Sequence, residues 1–303
     1  MRGRFAPSPT GVLHLGNLRT GLVAWLFARS AGSAFYLRFE DLDSATVQPE
    51  LYDSQRRDLH RLDLDWDAEL RQSEHLPRYR RAVQDLTDLG LTYPCFCSRR
   101  EIREAIAAPH ADLPDGAYPG TCRDLSPAVS AGRVEAGDPW ALRLRSDGET
   151  RSFVDGLAGA YSGRPDDQVL TRRDSTPAYN LVVVVDDDHQ GVEQVVRADD
   201  LLSSTPRQLQ LAELLGIDPP SYAHVPLVLG PTGARLAKRD GSVTLDDRIA
   251  LGETSAQVRG VLAASLGLTE PGTEPSLPEL IDRFDPALLS RRPWQLSAHD
   301  LGG

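Results

Sequence analysis

Arg4-Phe-Ala-Pro-Ser-Pro-Thr-Gly-Val-Leu-His-Leu-Gly-Asn17 is the stretch from which the rest of the chain is read. Gly3 to Ala6 reads as a short buried strand, and the prolines at 7 and 9 end it because they lack ladder N–H groups. From Leu15 onward, Leu18, Leu22, Trp25 and Leu26 recur at the i, i+4, i+7 and i+8 spacing of an amphipathic helix. His14 and Gly16 therefore fall at the mouth of a helix that follows a strand and a tight loop. Such a mouth offers unpaired backbone N–H groups and the positive end of a dipole, a seat for phosphate. Gly16 would let a nucleotide lie against the backbone, and His14 adds a donor that can follow phosphate charge.

Outward from this stretch, the 303 residues suffice for one large α/β domain with insertions, or for two domains. No wholly apolar run, Leu181 to Val185 among them, is long enough to span a bilayer. Arg2 and Arg4 are followed by no apolar signal segment, so the expected compartment is the cytoplasm and no membrane partner is expected. Three cysteines, an odd number, argue against a disulfide framework and leave metal binding or simple burial. A net charge of −11 would disfavour a nucleic-acid partner if charge were uniform, but a binding face needs only a local basic surface. Arginines cluster at 56, 57 and 61, at 78, 80 and 81, and at 99, 100 and 103, and most such clusters are solvated helix faces.

Ala34 to Phe39 reads as a second strand whose end sets Glu40 and Asp41 beside the His14 loop, since ligands of doubly wound sheets gather beyond the carboxyl ends of strands. Helices are expected over Pro49 to Leu62 and Glu74 to Leu89, the latter stopped by Gly90. Between Leu91 and Thr176 proline, glycine and aspartate become frequent, the texture of an insertion, with Trp140 to Arg145 alternating like a half-exposed strand. Gly156 to Gly163 lacks the strand–GxGxxG–helix arrangement of a dinucleotide site. The apolar run Leu181 to Asp186 reads as a strand buried on both faces, and Asp186 to His189 after it as pocket wall or turn rather than a metal cluster. A strand over Glu193 to Val196 follows, then a helix capped by Ser204 or Thr205 and stopped at Gly216. His224 to Leu229 reads as the last core strand, and from Leu245 on the pattern is mostly helical. The expected fold is α/β: a parallel-sheet nucleotide-binding domain in two halves (1–90 and 177–242) split by an insertion (91–176), with a small helical domain (243–303).

The Arg4 to Asn17 stretch, with His14-Leu-Gly-Asn17 in the place usually written His-Ile-Gly-His, closely resembles the first signature of the class I glutamyl-tRNA synthetases. Asn17-Leu-Arg-Thr20 and Trp25-Leu-Phe-Ala-Arg29 are similar to their truncated relatives, the glutamyl-Q tRNA(Asp) synthetases. Arg235-Leu-Ala-Lys-Arg239 then resembles the family's Lys-Met-Ser-Lys-Ser loop, with Lys238 at the ATP-contacting lysine. Leu236 and Ala237 depart from the pattern, and Ala237 removes a hydroxyl from the loop. The resemblance implies a class I Rossmann-like fold, catalysis by His14 and Lys238, and ATP binding by His14, Gly16, Asn17 and Lys238. It implies glutamate binding by Arg4, Phe5, Ala6, Pro7, Ser8, Glu40, Tyr179 and Arg197.

The chemistry of those residues suits glutamate. Arg4 or Arg197 can grip a carboxylate, Glu40 can pair with the ammonium, and the Tyr179 hydroxyl adds a polar contact. Arg197 could instead pair with Asp199 or Asp200, and Tyr179 could belong to the core. The cysteines are spaced C-x-C-x₂₄-C (Cys95, Cys97, Cys122), one ligand short of a zinc site; His110, Tyr118 and Asp124 are the local candidates for the fourth, and ligand preference favours His110. The family pattern instead names Tyr118, four residues before Cys122, for one structural Zn²⁺. The implied partners are L-glutamate, ATP with Mg²⁺, and tRNA(Asp) carrying queuosine, for a monomeric enzyme. About sixty residues follow Ser242, too few for the anticodon-binding domain of the usual glutamyl-tRNA synthetases. Three alternatives stay open: a synthetase fragment charging a tRNA 3′ end, a nucleotidyltransferase sharing the His-x-Gly and lysine loops, and a non-catalytic tRNA-binding paralogue.

Overall fold

The structure, a computed structural model, describes residues 1–106, 117–236 and 243–297. The chain opens with β1 (Gly3–Phe5), a proline-bearing loop and α1 (Leu15–Ser30). Next come β2 (Phe35–Phe39), α2 (Pro49–Arg61), β3 (Ala68–Arg71) and α3 (Leu76–Asp88). The following segment holds β4 (Thr92–Cys95), α4 (Arg99–Ile106), α5 (Pro127–Glu135), β5 (Ala141–Leu144), β6 (Arg151–Asp155), β7 (Gly159–Gly163) and β8 (Val169–Thr171). It leads into α6 (Tyr179–His189), β9 (Gln194–Ala198), α7 (Thr205–Leu215), β10 (Ser221–Val225) and β11 (Val228–Leu229). The last elements are α8 (Leu245–Ala250), α9 (Ser255–Ser265), α10 (Leu277–Arg283) and β12 (Trp294–Gln295).

Five strands form a wholly parallel sheet in the order β10-β9-β1-β2-β3. Strand order reverses between β1 and β9, and a crevice opens beyond the carboxyl ends of strands at such a switch point. The chain leaves β1 there into the Pro7 to His14 loop, and Arg197 sits near the end of β9. Between the two halves lie an antiparallel sheet, β4-β5-β8, and the β6–β7 hairpin. Gly156 to Gly163 forms the turn and second strand of that hairpin.

Three expectations are corrected. α1 is not amphipathic: every residue from Gly21 to Ala28 is buried, because the helix lies between the sheet and the helices α9 and α10. Even Arg19 is buried, its guanidinium donating to Pro226 O, Ser265 O and Ser265 Oγ. Leu181 to Val185 is helix, not strand: α6 packs between α3 and α7, so burial on every side gives a helix the same unbroken apolar run as a central strand. His224 to Leu229 is two strands: Pro226 breaks the ladder, and β11 pairs instead with β12 in a separate two-stranded sheet. The helical start at Thr205 stands, but Ser204 makes no side-chain cap bond and the Thr205 hydroxyl is turned to Arg197.

Candidate active site

A cavity of about 490 Å³ lies at the switch point, a volume typical of small-molecule sites. Arg4, Phe5, Ala6, Pro7, Ser8, His14, Gly16, Asn17, Glu40, Tyr179 and Arg197 all line it, so all but one of the residues singled out for glutamate and ATP meet there. Lys238 is the exception and lies outside the described residues, as does His110.

The loop after β1 is held by its backbone. Buried Gln55 donates to Ser8 O (3.0 Å) and Gly11 O (2.8 Å), and Glu40 N–H reaches Pro7 O at 3.0 Å. His14 is the N-cap of α1 in a reciprocal capping box: its Nδ1 accepts from Asn17 N–H at 3.2 Å, and its own N–H donates to Asn17 Oδ1 at 3.1 Å. An accepting Nδ1 requires the proton on Nε2, which gives the ring a fixed donor. Burial and then the nearby Arg235 cation push the His14 pKa down, so the ring is neutral at neutral pH. Of the first-turn amides, Leu15 N–H is spent on Val243 O (2.8 Å) and Asn17 N–H on His14, which leaves Gly16 N–H without an acceptor among the described residues. A Cβ on Gly16 would stand 2.9 Å from His14 Cε1 and 3.0 Å from Nδ1, so the ring's position needs this glycine.

Behind the cavity, Arg4, Arg38, Asp186 and Asp187 form a close array of buried charges, with Glu40 at its edge. Arg4 (3% exposed) donates through Nε to Asp187 Oδ1 at 3.1 Å and through a terminal N–H to Val196 O at 3.1 Å. Arg38 donates to the same Asp187 oxygen at 2.7 Å and to Gln190 Oε1 at 2.9 Å. Its Nε and second terminal nitrogen make no hydrogen bond and stand 4.0 Å from Asp186 and Glu40 carboxylate oxygens. Burial pushes the Glu40 pKa up to about 7, opposed by Arg38 and Arg4 and reinforced by Asp187 and Asp186. The Asp186 to Asp188 run is thus neither turn nor pocket wall. Asp186 and Asp187 are buried on α6, with Asp186 also taking bonds from Tyr79, Gln72 and Arg78.

Arg197 differs from these. It is 5% exposed, stacks 5.3 Å over the Tyr222 ring, and donates through Nε to His224 Nε2 (3.0 Å) and through a terminal N–H to Thr205 Oγ1 (2.8 Å). No carboxylate pairs with it among the described residues. Asp200, a partner it could have taken, pairs with Arg235 at 2.6 Å. A buried cation with neutral partners, facing a cavity, is costly unless an anion completes it. Tyr179, at the start of α6, is 37% exposed and therefore not core, whereas the Phe5 ring is core and packs on Gly21.

The described residues on either side of 237–242 lie near His14. Leu236 N–H bonds to Val228 O (3.3 Å) and its side chain lines the cavity; Val243 receives Leu15 N–H, and Thr244 forms a bridge with His14.

Away from the cavity, Cys95, Cys97 and Cys122 bring their sulfurs within 4.8 Å of one another. The Tyr118 hydroxyl stands among them, 3.3 Å from Cys95 Sγ and 3.7 Å from Cys97 Sγ, and Cys97 and Cys122 sulfurs are 3.4 Å apart. A tetrahedron with arms of about 2.3 Å has edges of about 3.8 Å, so the three sulfurs fit a structural zinc. The arginine clusters are largely in ion pairs: Arg56 with Glu69, Arg78 with Asp186, Arg81 with Asp85, Arg100 with Glu104, and Arg61 with Asp246.

Sequence reading missed the residues that hold the site. Arg38 could have been found, because two-residue alternation along β2 puts it on the Glu40 face. Asp187 could not, since its approach to Arg4 depends on α6 being helical. Asp155 and His224 carry no sequence signal of their meeting.

Fold and cavity define a parallel-sheet α/β domain with a small-molecule site at its topological switch point. The family described as tRNA synthetases class I (E and Q), catalytic domain, matches residues 1–291. A glutamyl-Q tRNA(Asp) synthetase of Nocardia farcinica is 56% identical over 300 residues, covering 99% of this chain and 94% of its own length. One of Symbiobacterium thermophilum is 44% identical, covering 99% and 97%. The crystal structure of a glutamate tRNA ligase from Elizabethkingia meningosepticum in complex with its amino acid superposes with a TM-score of 0.85 at 26% identity, covering 99% of this chain and 68% of that one. The chain belongs to the class I glutamate and glutamine tRNA synthetases and, within them, to the glutamyl-Q tRNA(Asp) synthetase family.

Proposed function

We propose that the protein activates L-glutamate with ATP, without RNA, and transfers the glutamyl group to queuosine at the wobble position of tRNA(Asp). In the first step a glutamate α-carboxylate oxygen attacks the α-phosphorus of ATP. The bond to the β-phosphate oxygen breaks, and glutamyl-adenylate and pyrophosphate result. The His14 Nε2–H, the Gly16 amide at the helix mouth and Lys238 meet the charge that develops on the phosphates, with Mg²⁺ accompanying ATP. In the second step a queuosine hydroxyl attacks the acyl carbon and AMP leaves.

Arg197 binds the side-chain carboxylate and Glu40 the ammonium, with Arg4, Ser8 and Tyr179 completing the pocket. The observation that carries this reading is the buried guanidinium of Arg197, without a carboxylate partner among the described residues, in the same cavity as the carboxyl group of Glu40. Together they suit a ligand with an acid at one end and an amine at the other. Zinc held by Cys95, Cys97, Tyr118 and Cys122 would brace residues 91–176, which with 243–303 offer the surface for RNA. The expected setting is a monomer in the cytoplasm.

The test is glutamate-dependent pyrophosphate exchange without RNA, followed by transfer of labelled glutamate. Label should pass to tRNA(Asp) containing queuosine and not to queuosine-free tRNA(Asp). Transfer to the 3′ end of tRNA(Glu) would identify a discriminating glutamyl-tRNA synthetase instead, and RNA binding without exchange a non-catalytic protein.

A further inference from the structure

Arg197 is oriented from behind by a chain of buried groups that reaches into the segment between the two halves of the sheet. Its Nε–H donates to His224 Nε2 at 3.0 Å, and His224 Nδ1 lies 2.6 Å from Asp155 Oδ2. An arginine can only donate, so Nε2 must be the unprotonated nitrogen and Nδ1 must carry the proton that Asp155 accepts. Asp155 is itself fixed at the end of β6. Its Oδ1 accepts the backbone N–H groups of Leu157 (2.9 Å), Ala158 (2.8 Å) and His224 (3.0 Å), and Gly156 N–H bonds to Tyr222 O at 2.8 Å. The His224 and Asp155 side chains are fully buried.

We propose that Asp155 and His224 are positioning residues for the amino-acid site: Asp155 sets the His224 tautomer, and that tautomer holds the Arg197 guanidinium toward the substrate carboxylate. The β6–β7 hairpin thereby has a direct line to amino-acid specificity, although Asp155 lies outside the cavity. The inference rests on the assignment of Arg197 to the glutamate carboxylate.

Asp155→Asn tests it with almost no change of shape. The amide oxygen can keep the three backbone bonds, but its NH₂ then faces His224 Nδ1 and favours the opposite tautomer. That places Nε2–H against Arg197 Nε–H, donor against donor. The KM for glutamate in pyrophosphate exchange should rise about 10- to 100-fold, as for loss of one hydrogen bond to a charged group, with the KM for ATP within about threefold. His224→Gln retains an acceptor near the Nε2 position and should stay within about threefold of the parent, whereas His224→Leu should show the full rise. An unchanged glutamate KM in Asp155→Asn, equal rises for glutamate and ATP, or equal losses in the Gln and Leu variants would overturn the proposal. Absence of glutamate-dependent exchange in the unaltered protein would instead overturn the glutamate reading itself.

Discussion

At the residue scale, two side chains carry opposite demands. His14 must be a neutral donor with its proton on Nε2, which the Asn17 amide secures by occupying Nδ1. His14→Ala should cut the exchange rate about 10²- to 10³-fold, the loss expected for one transition-state donor, and Lys238→Ala about 10²-fold. A rate within threefold of the parent, read at saturating substrates, would remove that residue from the mechanism. Glu40 must be ionised to meet an ammonium, yet burial lifts its pKa to about 7. Raised above the unfolded value, this carboxyl adds to stability in acid, and the contribution fades as pH climbs through about 7. Glutamate binding runs the other way: its KM should fall as pH rises from 6 toward 8 and level off above the Glu40 pKa, while the KM for ATP stays flat. A glutamate KM independent of pH in that range would count against Glu40 as the ammonium partner.

At the element scale, the helix mouth shows how a glycine can serve activity without serving stability. Gly16→Ala should leave thermal stability level or slightly raised, because alanine favours a helix by about 0.5–1 kcal/mol and the crowded neighbour is a mobile ring. The ring must swing, so exchange should drop about tenfold or more. Gly260 on α9 is the contrast: a Cβ there would stand 2.0 Å from the Thr273 carbonyl oxygen, which is backbone and cannot step aside. Gly260→Ala should lose about 1–3 kcal/mol in urea unfolding. Much of this level was legible in the sequence. Prolines at 7 and 9, the spacing after Leu15 and Gly216 each marked an element end correctly. Two of the failures share a cause: unbroken apolar runs do not tell a buried helix from a buried strand, so α6 and the full burial of α1 had to wait for the packing, whereas the strand break at Pro226 follows from its missing ladder N–H. Arg4 and Arg197 were both in view as carboxylate ligands, but only the placement of Asp187 on α6 and Asp200 beside Arg235 shows which is already neutralised.

At the scale of the whole molecule, the site is assembled from both halves of the sheet and steadied by the segment between them. The purified protein should hold about one zinc, lost in Cys97→Ser, with a lower melting temperature after chelation. Retention of full stability without metal would make the cysteine cluster three buried thiols only. The central claim is that the switch-point cavity holds an acidic amino acid by Arg197, the cationic side chain at that cavity's β9 wall, which has no carboxylate partner among the described residues. Steady-state pyrophosphate exchange by Arg197→Ala measures it most directly. The glutamate KM should rise about 100-fold or more, on the scale of truncating one partner of a buried charge pair, while the ATP KM stays within about threefold. Equal rises for the two substrates, or no rise for glutamate, would contradict the account.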